Sequence, residues 1–231
     1  MILVNQNLVL MKKLKILILL VFAYGLKAQD VGLNVLWEES TGLRSGDYGL
    51  KGIVSPDRFY YEMGVDQSAS GLKHLKVIKS FEGEVIWSLT LDSSFFYDYI
   101  PTALTWSDYG LIGAAYQPIL GSGRNLVFSV SETGAKNWME DSLMDLILTD
   151  VKVDEANSQI LFAGSMGTQL GGRDAFIEAR QQNGQILWSK SFDQYGYKDV
   201  ALELAIDGNQ YILLGSSEAG LNQWEMASWY L

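Results

Sequence analysis

The residues of this chain that could do chemistry are aspartates that recur about ten residues after a series of tryptophans. The positions are Asp47, Asp98, Asp145 or Asp150, and Asp199. Because Ca²⁺ prefers several oxygen ligands, a ring of such carboxylates at one mouth of a closed fold could bind this ion. The alternative is that the aspartates form Asx turns and cap loops. The pattern therefore names Asp47, Asp98 and Asp199 as candidate metal ligands, with Ca²⁺ as the candidate ion.

Adjacent carboxylates are the candidates for acid–base chemistry. They are Glu38-Glu39, Glu140-Asp141 and Asp154-Glu155. Neighbours on a strand point to opposite faces, so none of these pairs is arranged for concerted acid–base work of the glycosidase type. The chain has no cysteine and a single histidine, His74. This composition excludes disulfides and thiolate chemistry and argues against a Ser-His-Asp triad, so we expect no catalytic residue and no cofactor other than the ion.

Four tryptophans occupy equivalent places in a long repeat. Trp37, Trp87, Trp138 and Trp188 are 50, 51 and 50 residues apart. In the last three, a strand-like run ends in polar residues, turns on a glycine and reaches the tryptophan four residues later. Glycine suits such a turn because the turn needs a positive φ. We interpret all four tryptophans as structural residues that dock neighbouring units together, not as a sugar-stacking surface.

A second hairpin recurs between the tryptophans. Its copies run over residues 52–64, 103–115, 151–164 and 203–215, and each closes on Gly or Ala. Near-continuous apolar runs such as Tyr211–Leu214 are typical of strands buried on both faces. With no sustained helical period in the mature chain, the pattern predicts an all-β protein. We expect a β-propeller of about four four-stranded blades with a period of about 50 residues.

The two ends of the repeat region are incomplete in complementary ways. Adding one period to the third-strand position Phe176 reaches Met226, so the last unit has a third strand without a fourth. The segment Leu33–Glu39 resembles a fourth strand without a third. Pairing of the two would close a ring, which hides sheet edges. The alternative is that the chain is a fragment of a larger propeller.

The Gly-x-x-x-Trp ending resembles the tryptophan-docking repeats of quinoprotein-like propellers. Residues 182–192, with the Asp207-Gly-Asn turn that follows, are similar to the degenerate repeats of exported bacterial propeller proteins. The resemblance spans residues 33–231 and implies a fold in which each tryptophan packs between blades. This sequence departs from the family's pattern after Trp138, where the next residues are Met139 and Glu140. It does not imply a quinone cofactor.

The N-terminus predicts export. Lys12, Lys13 and Lys15 precede an apolar run that ends near Ala28, which is the anatomy of a signal peptide over residues 1–28 with a natural start at Met11. The propeller domain is then 29–231. The apolar run from Leu14 to Leu26 is about 13 residues long, shorter than the roughly 20 that a membrane-spanning helix needs. The alternative is an uncleaved signal anchor that uses Met1–Leu26 as its apolar stretch. After cleavage of residues 1–28 we expect no membrane span.

The net charge of the mature chain limits the classes of partner that it can bind. Removing four lysines with residues 1–28 leaves 13 of the 17 basic residues against 27 acidic ones, a net charge of −14. Such a surface repels phosphate backbones, so we expect no nucleic acid partner. We expect a secreted, periplasmic or cell-surface protein that is a non-enzymatic scaffold for an unknown protein or glycan. The alternative is a polysaccharide hydrolase or lyase with carboxylates at the propeller mouth.

Overall fold

A computed structural model describes residues 48–119, 122–142, 145–168, 172–194, 196–220 and 223–231. These residues form fifteen antiparallel strands and no helix. The strands are β1 (Tyr48–Val54), β2 (Tyr60–Gln67), β3 (Lys73–Phe81), β4 (Glu84–Ser94), β5 (Ile100–Ser107), β6 (Gly110–Ile119), β7 (Ser122–Val130), β8 (Lys136–Ser142), β9 (Leu146–Asp154), β10 (Gln159–Gly167), β11 (Arg173–Arg180), β12 (Ile186–Phe192), β13 (Asp199–Asp207), β14 (Gln210–Gly220) and β15 (Gln223–Tyr230).

The strands are grouped in four sheets that follow chain order. The first three sheets have four strands each, β1–β4, β5–β8 and β9–β12, and the fourth has three, β13–β15. Within each sheet every strand pairs with its neighbour in sequence, as expected when the connections inside a sheet are hairpins. The prediction of an all-β, propeller-like arrangement of about four blades is confirmed. The predicted third strand of the last unit is β15, and among the described residues the fourth sheet has no further strand.

Both predicted hairpins are present in the repeat. The tryptophan hairpin is the third and fourth strands of a sheet, and the second hairpin is its first and second strands. The glycines of the tryptophan hairpins, Gly83, Gly134 and Gly184, have φ values of 86°, 85° and 89°. These are left-handed conformations in which a Cβ is unfavourable, which explains why glycine recurs at this turn.

Consecutive sheets pack face to face. One core lies between the first and second sheets, another between the second and third, and the third between the third and fourth. We call the face that packs on the next sheet along the chain the forward face and the opposite one the backward face. Strand β6 illustrates how one strand serves two cores, because Leu111 lies in the first core and Ile112 in the second. This two-sided burial accounts for its near-continuous apolar run.

The same irregularity fixes the register in all four sheets. Each first strand bulges opposite a small residue of the second strand, namely Gly64, Ala115, Gly164 or Gly215. The bulge therefore defines corresponding positions in the four sheets. Leu33–Glu39, whose pairing with the last strand would close the ring, lies outside the described residues. Among those described, no apolar core joins the fourth sheet to the first.

Candidate functional site

Two of the predicted docking tryptophans each lie on the turn of the following sheet. Trp87 Nε1 donates to the main-chain carbonyl of Glu132 at 2.9 Å, and Trp138 Nε1 donates to that of Gln182 at 2.6 Å. A Cβ added at Gly134 would lie 2.9 Å from the Trp87 ring, and one at Gly184 2.8 Å from the Trp138 ring. The turn glycine is thus required both for its φ and for the approach of the indole.

The other two tryptophans of the repeat are Trp188 and Trp37. Trp188 stacks on Tyr211 of the fourth sheet, with ring centroids 6.0 Å apart, and within the described residues no hydrogen bond joins its Nε1 to a turn. Trp37 lies outside the described residues. The indoles of Trp87, Trp138 and Trp188 are half-buried in contacts between sheets, so they form no open stacking platform.

The candidate metal ligands have separate local partners. Asp47 lies outside the described residues, and Asp98 forms an ion pair with Lys73. Asp199 is buried, and its Oδ2 accepts a hydrogen bond from the main-chain N–H of Gln194 at 2.7 Å. Of the alternatives, Asp145 binds Arg173 at 2.6 Å, and Asp150 accepts from the main-chain N–H of Leu204 at 2.9 Å.

Asp199 has two acidic neighbours. The pKa of Asp174 is raised, first by burial and then by the charges of Asp193 and Asp199. Within the part of the chain that the structure describes, no three His, Asp or Glu side chains are grouped so as to hold a metal ion.

Carboxyl groups with raised pKa values are spread over two sheets. Burial raises the pKa of Glu62 in the first sheet. Burial also raises the pKa of Glu178 in the third sheet, and the adjacent Arg180 offsets this only in part. Arg180 Nε lies 2.5 Å from Glu178, and its Nη1 also contacts Glu140. Glu178 is therefore held in a buried ion pair and is not presented to a substrate.

A cleft lined mainly by residues with amide side chains opens at one end of the third sheet. It has a volume of about 440 Å³ and lies between the β9–β10 turn and the β11–β12 turn. Amides dominate its wall, which consists of Asn157, Ser158, Gln181, Gln182, Asn183 and Leu187. All six side chains are exposed and none is charged. The cleft is within the size range of ligand sites in proteins.

The corresponding space is bridged by side chains in the first two sheets. In the first sheet, Phe59 and Phe81 lie against each other at 5.3 Å, and Lys79 Nζ lies 3.8 Å from the Phe59 ring centre. In the second sheet, Asn137 Nδ2 reaches across to the carbonyl of Tyr109 at 3.2 Å. The third sheet has amides on its two turns instead of a bridge between them. Its cleft is thus a local departure from the repeat.

Hydrogen bonds fix the two amides of the cleft that lie on opposite turns. Asn157 donates its main-chain N–H and its Nδ2 to Asp154, at 3.1 and 2.8 Å. Asn183 Oδ1 accepts from the main-chain N–H of Gln185 at 3.0 Å. Asn157 is therefore left to offer its side-chain oxygen to a ligand, and Asn183 its amide nitrogen.

Asp154 links the cleft to the next sheet. Its carboxylate also accepts from the Tyr211 hydroxyl of the fourth sheet, at 2.6 Å. Burial raises the pKa of Asp154, but the hydrogen bonds from Tyr211, Asn157 and the main chain outweigh burial and leave the pKa below its usual range. Sequence reasoning did not predict this cleft, because the run Gln181-Gln182-Asn183 ahead of a turn glycine places amides on one turn but does not show that a gap separates it from the facing turn.

The described residues contain no helix long and apolar enough to cross a membrane. No protein-family model matches the chain, and no curated protein matches it.

Proposed function

We propose that this protein is an exported, non-enzymatic propeller scaffold of the tryptophan-docking type, and that it binds a neutral glycan in the amide cleft of the third sheet. The cleft carries the proposal, because it breaks a repeat whose corresponding gaps are bridged. Export is supported by the signal-peptide anatomy of residues 1–28.

The chemistry of the wall favours sugar hydroxyls. A hydroxyl both donates and accepts hydrogen bonds, and it can use the Asn157 oxygen and the Asn183 nitrogen together. The wall has no formal charge, which favours a neutral ligand over a phosphate or a carboxylate. Leu187 offers an exposed apolar side chain against which the C–H face of a sugar ring can pack.

A glycan array on the mature chain identifies the ligand, and calorimetry then measures its affinity. The Gln182→Ala variant removes one amide from the cleft wall but keeps the main-chain carbonyl that accepts the hydrogen bond of Trp138. We therefore expect its affinity for the glycan to fall at least about fivefold. Thr133→Ala is the matched control, since Thr133 occupies in the second sheet the turn position of Asn183. Equal binding by Gln182→Ala would place the ligand elsewhere.

Assaying the bound glycan for cleavage separates the scaffold from the hydrolase or lyase alternative. A scaffold returns the glycan intact after prolonged incubation. New reducing ends or unsaturated products, in amounts that scale with protein concentration, would overturn the non-enzymatic proposal.

A further inference from the structure

Among the described residues, no strand pairs with the outer edge of β15, unlike its counterparts in the other sheets. In the first three sheets the third strand pairs on both sides, with the second and the fourth strands. In the fourth sheet β15 pairs with β14 alone among the described residues. Unpaired main-chain groups along such an edge are a template for another strand.

The forward face beside this edge is apolar and exposed. Met226 is 97% exposed, Tyr230 63% and Trp224 50%. Ala175 of the third sheet corresponds to Met226 in register and is fully buried. The forward face of the fourth sheet therefore has the apolar character of the covered faces, and within the described residues no sheet packs on it. Large exposed apolar side chains grouped in this way mark interaction sites.

The backward face of the first sheet is a poor match for this surface. At positions where the fourth sheet has Leu213 and Ala227, the first sheet has Glu62 and Lys76. Glu62 and the Lys76–Asp66 ion pair would have to leave water to pack against methionine and tryptophan, which is costly. Head-to-tail stacking of copies is thus disfavoured, and the apolar surface is best matched by the same surface of a second copy.

The hydrogen-bond pattern of β15 permits symmetric pairing. Leu231 and Tyr211 exchange main-chain hydrogen bonds, each at 3.0 Å. By the alternation of antiparallel strands, residues 229 and 227 also direct their main-chain groups to β14, while residues 230, 228, 226 and 224 direct theirs outward. Two copies of β15 can then pair antiparallel about a two-fold axis at Ala227.

We propose that β15 pairs with β15 of a second copy in this register, forming a six-stranded sheet across a homodimer. Trp224 then lies opposite Tyr230 of the partner subunit, and Met226 lies opposite Ser228 of the partner subunit. Aromatic pairs of this kind stabilise antiparallel strands. Two-fold pairing closes the assembly at two copies, whereas a head-to-tail contact would continue. This surface is separate from the amide cleft and does not depend on its function.

Sedimentation of the mature chain over about two decades of concentration tests the dimer. We expect a monomer–dimer equilibrium. Ser228→Pro removes one outward N–H and leaves the hydrogen bonds to β14 in place, so its dimer dissociation constant should rise at least tenfold, by about 1.4 kcal/mol or more. Ser228→Ala keeps the N–H and should dimerise like the unmodified chain. A monomer throughout, species beyond the dimer, or an unaffected Ser228→Pro variant would each overturn the proposal.

A cross-link supplies a second measurement that does not rely on the proline variant. The chain has no cysteine, so a single introduced thiol can pair only with its copy. At the two-fold axis Ala227 forms a non-hydrogen-bonded pair, in which side chains approach most closely. With oxidised glutathione as the oxidant, Ala227→Cys should give a disulfide-linked dimer well ahead of Ser189→Cys, which lies exposed on β12. Equal cross-linking of the two variants would contradict the proposed register.

Discussion

The forward faces of the third and fourth sheets have corresponding apolar positions and opposite environments. Ala163 of the third sheet is fully buried, whereas Leu214, at the same register position, is 43% exposed. The first two sheets have Met63 and Ala114 there, both buried. Apolar character at this position is thus a property of the repeat, while burial depends on the sheet that follows. A single repeat cannot cover its own forward face.

The backward faces of the same two sheets differ in chemistry. Substitutions there should have the largest effect on the free energy of unfolding. Where the third sheet buries Glu178 and Arg180, the fourth has Trp229 and Leu231. Arg180→Ala leaves the Glu178 carboxylate buried without its partner, so we expect a loss of about 4 kcal/mol in the free energy of unfolding by urea.

The double variant Glu178→Leu/Arg180→Leu sharpens this comparison, because it gives the third sheet the apolar character of the fourth. We expect its stability to return to within about 1 kcal/mol of the unmodified chain. A double variant as unstable as Arg180→Ala would show that the ion pair itself, not the unpaired carboxylate, determines the loss.

Truncation on the forward faces gives the next largest effect. Leu161→Ala opens a cavity in the core between the third and fourth sheets and should cost about 3 kcal/mol. Leu214→Ala lies one sheet later on an uncovered face and should cost less than about 1 kcal/mol. Urea unfolding of both, at concentrations too low for dimers, measures the pair. Equal losses would mean that the fourth sheet is covered after all.

The tryptophans give a smaller contrast. Trp138→Phe keeps most of the ring contact with Gly184 but removes the hydrogen bond to Gln182, so we expect a loss of about 1 kcal/mol. Trp188→Phe preserves the stacking on Tyr211 and should lose less than half as much. Thermal unfolding of the two variants provides the measurement, and a larger loss for Trp188→Phe would reveal a partner for its indole N–H.

The pH dependence of stability gives the smallest contrast. The pKa of Asp154 is lowered in the folded protein, so its carboxylate stabilises the fold above the ordinary aspartate pKa of about 4, and this stabilisation is lost as pH falls through the folded pKa. Between neutral pH and acid, Asp154→Asn should therefore lose stability less steeply than the unmodified chain. Asp207, the exposed counterpart in the fourth sheet, is the control, and Asp207→Asn should leave the slope unchanged.

The sequence was most informative where short-range chemistry decides the structure. The turn glycines and the second hairpins could be predicted because a positive φ and an apolar alternation are local requirements. The period also predicted a third strand around Met226, which is β15. The role of Asp98 and Asp199 as metal ligands was harder to predict from the sequence. A ring of carboxylates depends on the directions of the side chains and on competing cations such as Lys73.

The amide cleft could not be predicted from the sequence, because it forms where no side chain bridges the gap between two turns of the third sheet. Asn137, at the start of β8, reaches across to Tyr109, whereas Asn157, on the β9–β10 turn, folds back onto Asp154. Tyr211 binds the same carboxylate from more than 50 residues away, a contact that local sequence does not reveal. The Glu178–Arg180 ion pair was easier to predict, because side chains two residues apart on a strand lie on the same face.

The three separate cores also set the order in which the molecule can acquire structure. Each core needs only two consecutive sheets, so a core can form as soon as about 100 residues have been made, without waiting for the distant end of the chain. Every sheet then passes through a stage with a bare forward face before its successor arrives. Within the described residues the fourth sheet shows the exposed apolar face of that stage, the surface that a growing repeat chain must protect from wrong partners at each step.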